Sequence, residues 1–150
     1  MTKNLINLTL AIGLLCSLYA TPSLAELGGV VDKDAVLVQE QSSVVAAEPR
    51  LTVYQIKSPS GTLIREYTNA NNVVVGVTWQ GPTLPNLKQL LGTHFDTFVN
   101  RPITPGAGHR SAELRTDELV VQSHGQMRSF SGRAYLPKML PAGFNIDQIN

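Results

Sequence analysis

Two hydrophobic rhythms follow one another between Leu51 and Asn100. "LTVYQIK" (Leu51–Lys57) alternates, with Tyr54 and Ile56 on one face and Gln55 and Lys57 on the other, the period-two signature of a half-buried strand. "SPSG" reads as a turn, because Pro59 presets φ at its second position and Gly61 suits its fourth. "TLIREYT" is the return strand, mixed in character and half-exposed. "NANN" (Asn69–Asn72) is a second turn, since Asn accepts left-handed backbone angles. "VVVGVTW" then places Val73, Val75, Val77 and Trp79 on one face and Val74, Gly76 and Thr78 on the other. Three strands and two tight turns make an antiparallel meander.

The rhythm changes at "WQGPTLPNLKQLLGTHF" (Trp79–Phe95). Pro82 lacks the donor a ladder needs and ends the third strand. Thr83 is the expected N-cap, with Pro85 in the first turn, where amides have no intrahelical partner. Leu87, Leu90, Leu91, Phe95, Phe98 and Val99 then fall on one stripe of period 3.6, with Lys88, Gln89, Asp96 and Thr97 opposite. Gly92 inside this stripe costs about 1 kcal/mol against Ala and would permit close approach to the sheet.

Beyond the helix, Asn100 to Glu118 has no period and is expected to be a loop, long enough to be either mobile or functional. "ELVVQSHGQMRSFSGRAYL" predicts a second hairpin, Leu119–Ser123 and Met127–Leu136, turning at His124-Gly125, with Gly132 marking a bulge or close contact. "NIDQIN" could form a last helical turn. The expected fold is therefore α+β: a small antiparallel sheet, a three-stranded meander plus a C-terminal hairpin, packed by one amphipathic helix in the order β-β-β-α-β-β.

The N-terminal third has a different character. "MTKNLINLTLAIGLLCSLYATPSLA" carries Lys3, an apolar run from Leu5 to Ala20, Pro22, and the small-x-small site Ser23-Leu24-Ala25. This is the order of a secretory signal peptide, and its apolar part is shorter than the roughly 20 residues of a spanning helix. Residues 1–25 are thus expected to be removed, leaving a chain that starts at Glu26. Residues 26–50 read as an N-terminal arm or a short helix capped by Asp32, weakened by its serines and valines. Residues 51–150 form the single α+β domain.

Composition narrows the function. The 150-residue chain has 12 basic and 11 acidic side chains, and loss of Lys3 leaves 11 against 11. A charge near zero argues against nucleic acid and against a polybasic membrane surface. The only cysteine, Cys16, falls in the leader, so the mature chain has neither a disulfide nor a thiolate. Leu15 precedes it, where a lipoprotein would carry a small residue.

Four stretches resemble one family: Gly28-Gly29, "SGTLIREY" (Ser60–Tyr67), "WQGPTLPNLKQLLG" (Trp79–Gly92) and "SGRAYLPKMLPAG" (Ser131–Gly143). On these residues the chain is identified as a member of the proteobacterial exported proteins catalogued as domain of unknown function 2844. That pattern carries Asp where Asn86 stands. The resemblance implies export and carries over no activity, cofactor or catalytic residue.

Candidate chemistry is sparse. His94 and Asp96 diverge by about 200° on a helix, His109 lies in the long loop and His124 in a turn, so no metal is expected. Gly-x-Ser-x-Gly is absent, and Ser131 could act as a nucleophile only if distant groups converged on it. No acidic pair is set at a glycosidase-like separation. No cofactor or catalytic residue is assigned. A candidate binding surface remains: Trp79 with Arg65, Tyr67, Arg133 and Tyr135, aromatic and guanidinium groups on strands that would suit a glycan, peptide or envelope partner. Against it, Trp79 shares its face with valines, as core residues do. The expected function is a non-enzymatic binding or assembly module exported to the periplasm or beyond. The alternatives are an envelope-polymer hydrolase or transferase using distant residues such as Ser131, His124 and Glu66, and a subunit that pairs sheet edges between copies.

Overall fold

The structure, a computed structural model, describes residues 25–31, 42–48, 51–102, 111–142 and 144, with 42–48 given by their backbone course. Seven strands form one sheet: β1 (Ser42–Glu48), β2 (Leu51–Lys57), β3 (Leu63–Thr68), β4 (Val74–Gly81), β5 (Ser111–Arg115), β6 (Val120–Gln126) and β7 (Ser129–Tyr135). Their spatial order is β1-β2-β3-β4-β7-β6-β5, every pairing antiparallel. The fold is α+β, and both hairpins lie in one continuous sheet because β7 docks on β4.

The meander has the expected two turns and, in β2, the expected alternation of Tyr54 and Ile56 with Gln55 and Lys57. Gly61 (φ 88°) and Asn72 (φ 60°) occupy left-handed backbone positions in the two turns, where their residue types are tolerated. Two further strands go beyond the expected five. Ser42–Glu48 pairs with β2 instead of forming a helix, and Ser111–Arg115, expected within a loop, is the opposite edge strand. The second hairpin turns at Met127-Arg128, three residues after the expected His124-Gly125, with Arg128 at φ 58°. The helix start expected at Asp32, the loop residues 103–110 and "NIDQIN" lie outside the described residues.

The helical stripe is real but broken. Leu87–Leu91 (α1), a 3-10 turn Gly92–His94 and Phe95–Val99 (α2) replace one straight helix. Gly92 has φ 52° and ψ −125°, which no continuing α-helix contains, and the Glu26 side chain occupies the space where a Cβ would stand. The N-cap is Asn86, not Thr83: its side-chain oxygen accepts the Gln89 amide at 3.3 Å. Thr83 instead serves the end of the sheet, its carbonyl accepting from the buried Thr62 hydroxyl at 2.7 Å. Leu90, Leu91 and Phe98 are buried, Leu87 and Phe95 pack against the core, and Val99, where the kink rotates the stripe outward, is 53% exposed.

Directly paired residues share a face of the sheet. One face carries the rows Tyr54, Glu66, Val77, Ala134, Val121, Leu114 and Ile56, Ile64, Trp79, Gly132, Ser123, Ala112. The helices and the N-terminal segment cover it, through Leu27, Val31, Leu90, Leu91 and Phe98. Val75 was expected beside Val77 and Trp79. It packs on the other face instead, with Tyr67 and Tyr135, because a bulge opposite Tyr67/Thr68 inserts it as an extra residue. Gly132 lets the Trp79 indole lie flat: a Cβ there would stand 2.5 Å from Trp79 Cε2 and from the Gln122 carbonyl oxygen.

Candidate functional site

The face turned away from the helices is built of three successive rows. Val53, Tyr67, Gly76, Tyr135 and Val120 make the first. Gln55, Arg65, Thr78, Arg133, Gln122 and Glu113 make the second, and Lys57, Leu63, Gln80, Ser131, His124 and Ser111 the third. The first is an apolar floor: Tyr67 and Tyr135 are buried with Val53, Val75 and Val120, beneath Leu140 and Phe144. The other two are polar and border a groove of about 510 Å³ lined by Arg65, Thr78, Gln80, Gln122, His124, Ser131 and Arg133, with Trp79 and Gly132 at its base.

Arg65 and Arg133 both stand opposite Thr78, one on each side of β4. Strand spacing places their Cα atoms about 10 Å apart. Each guanidinium is steered by a glutamine one strand further out: Arg65 Nε donates to Gln55 Oε1 at 3.3 Å, and Arg133 Nε to Gln122 Oε1 at 2.7 Å. Gln122 Nε2 donates in turn to Glu113 Oε1 at 3.2 Å, and Arg115 also pairs with that carboxylate. The Arg115 hydrogen bond holds Glu113 below the usual carboxylate range, so it stays an acceptor that fixes Gln122. In register between the arginines is Thr78, only 5% exposed, whose enclosed hydroxyl has no hydrogen-bond partner. A buried hydroxyl without a partner costs about 1–3 kcal/mol. An oxyanion seated between the guanidiniums would accept from it once the side chains that enclose it part.

Of the five residues singled out from the sequence, Arg65, Tyr67, Arg133 and Tyr135 share this face. Trp79 does not: at 2% exposed it is a core residue under the helices, because β4 alternation places it on Thr78's opposite side. The tyrosines are floor and not stacking platforms. Thr78, Gln80 and Gln122 were missed. Only the register β3-β4-β7-β6 brings them together, and no local signal announces it.

The catalytic alternative is divided by the sheet. Ser131 and His124 stand opposite each other on the groove face, yet no side-chain hydrogen bond joins them, and Glu66 opens onto the helix face. Among the described residues no three His, Cys, Asp or Glu side chains gather as a metal site.

The family model "Protein of unknown function (DUF2844)" matches residues 23–149. This chain belongs to the DUF2844 family. No curated protein and no solved structure matches it. Among the described residues of this DUF2844 protein no helix is long and apolar enough to cross a membrane.

The DUF2844 chain has a second unusual polar group, on its helix face. Glu66 is 0% exposed and neither carboxylate oxygen has a hydrogen-bond partner; the Ala25 amide faces it without closing a bond of standard geometry. Burial pushes its pKa from 4.5 up to about 8, the Ala25 amide opposing weakly, and burial also raises the neighbouring Tyr54 phenol. At neutral pH Glu66 therefore keeps its proton, as an isolated buried acid must.

Proposed function

We propose that this DUF2844 protein is an exported envelope protein that binds, without catalysis, a ligand bearing a carboxylate or phosphate oxyanion in the groove between Arg65 and Arg133. The observation that carries the reading is the partnerless hydroxyl of Thr78, a residue in register between two arginines that each donate to a glutamine. Guanidinium forks match both oxyanions, and polar groups along Gln80, Ser131 and His124 would contact the remainder of a longer ligand. Export rests on the order of charged, apolar and small residues from Lys3 to Ala25, and the periplasm is the compartment this order favours.

The test is calorimetric titration of residues 26–150 with inorganic phosphate, a carboxylated oligosaccharide (oligogalacturonate) and a neutral one (cellohexaose). Binding of an anionic probe, weakening with salt, is expected, while cellohexaose binds poorly. Hydrogen bonds to charged groups contribute about 1.5–3 kcal/mol, so Arg65→Gln and Arg133→Gln should each weaken binding roughly 10- to 100-fold. Equal affinity for neutral and anionic probes, or variants that bind like the parent, would refute the reading. Turnover of the oligosaccharide, abolished by Ser131→Ala, would restore the hydrolase alternative.

A further inference from the structure

The groove leaves Glu66 unexplained, and that group lies beside the expected processing site. The carboxyl sits on the helix face opposite Tyr54 and Val77, fully enclosed, with both oxygens unpartnered. The Ala25 amide faces it, one residue before the Glu26 nitrogen, and Ala25 packs against the same core cluster as Tyr54 and Val77. The segment that follows is clamped in place: Leu27 N–H donates to Leu90 O at 2.9 Å, Gly28 N–H to Val74 O at 2.8 Å and Val31 N–H to Asn72 O at 2.9 Å, while the Leu27 side chain is buried. Chain that begins at Glu26 would therefore begin beside Glu66.

We infer that removal of the leader after Ala25 creates an α-ammonium on Glu26 that pairs with the buried Glu66 carboxylate, so that maturation itself locks the N-terminal segment onto the sheet. The chemistry is a hydrolysis. Water adds across the Ala25–Glu26 peptide bond, its oxygen going to the Ala25 carbonyl carbon. Ala25 departs as a carboxylate, and the Glu26 nitrogen, gaining two protons from that water, becomes an ammonium. The enclosed carboxyl is then offered a cation: Glu66 releases its proton to solvent and its carboxylate pairs with the Glu26 ammonium, so that a charge forms where an isolated one could not. The ion pairs among the described residues, Arg115–Glu113 and Lys138–Glu118, lie elsewhere. Other titratable groups around the segment are Tyr54 on β2, the Glu26 side chain over Gly92, and His94, whose Nε2 lies 3.6 Å from the point where a Gly28 Cβ would stand. Val77 of β4 and Leu90 and Leu91 of α1 bring no charge.

The inference rests on the export reading, so the first measurement is the N-terminal mass of the protein recovered from the envelope of a producing cell. A start at Glu26 is expected, and any other start overturns the proposal while leaving the groove untouched. Three chains are then compared: residues 26–150, the same chain acetylated at its α-amine, and residues 25–150. Carbon-13 NMR of Glu66 should show titration within or below the ordinary carboxylate range in the first, and near pH 8 in the other two. Thermal midpoints at pH 7.5 should fall by several degrees on acetylation. Glu66→Gln in the 26–150 chain should cost a similar amount and abolish the effect of acetylation. Identical Glu66 titration in free and acetylated chains, or an acetylation effect that survives Glu66→Gln, would overturn it.

Discussion

Replacing Gly132 with Ala adds one methyl group where the Trp79 indole crosses β7. The new Cβ would stand 2.5 Å from Trp79 Cε2, closer still to Cζ2, and 2.5 Å from the Gln122 carbonyl oxygen. Relaxed carbon contacts lie near 3.5–4.0 Å, so about an ångström must be found on both sides. Neither obstacle can yield. The indole is fully enclosed among Ile64, Leu90 and Leu91, and the carbonyl belongs to β6, an interior strand paired with both β7 and β5. Overpacking typically costs about 1–3 kcal/mol, and a clash with ring and backbone together belongs at the upper end. For a domain of this size about 3 kcal/mol corresponds to a midpoint loss of roughly 10 °C. The assay is urea and thermal denaturation of residues 26–150 for the parent, Gly132→Ala, Trp79→Leu and the double variant. Removing the indole relieves the ring clash but not the carbonyl clash, so the double variant should be better than additive by about 1 kcal/mol or more. A Gly132→Ala chain within about 0.5 kcal/mol of the parent would refute the placement of Trp79 against β7.

In a chain that retains Ala25, the folded state keeps the Glu66 proton up to about pH 8 whereas an ordinary glutamate releases it near 4.5. The folded state thus binds more protons through that window, and stability should fall as pH rises across it, with a slope approaching about 1.4 kcal/mol per pH unit. Denaturant titrations at stepped pH should show this, and Glu66→Gln should flatten it. Asn86→Ala removes the acceptor for the Gln89 amide and should cost about 1 kcal/mol, while Asn86→Asp should hold or gain through the helix dipole. Leu91→Ala should cost about 2–5 kcal/mol and Val99→Ala well under 1, the contrast reporting the kink at Gly92.

What was legible in the chain was local. The meander could be read because Gly61 and Asn72 sit at backbone angles that their residue types accept, and because Tyr54 and Ile56 alternate cleanly with Gln55 and Lys57. The helical stripe could be read from six spaced apolar residues, though not its break, since an interior glycine in sequence does not disclose a positive φ. The two edge strands were missed. Ser111–Arg115 sends only Ala112 and Leu114 toward the core, and Ser42–Glu48 mixes small and branched residues without a clear period. Val75 was assigned to the wrong face because a bulge shifts the alternation by one. The groove was half legible: Arg65 and Arg133 stood out by type. Thr78 became part of it only through the pairing of β4 with β3 and β7, strands more than 50 residues apart in the case of β7.

Thr78→Val isolates the central claim, because valine keeps the shape of threonine and deletes only the partnerless hydroxyl of a residue that lines the groove. Thermal denaturation and calorimetric titration with the anionic probe should be run on the same preparation. The account predicts stability equal to the parent or higher by about 1 kcal/mol, together with an affinity lower by roughly tenfold or more. A variant that binds the probe as tightly as the parent, or one that loses stability because the hydroxyl was satisfied all along, would contradict it.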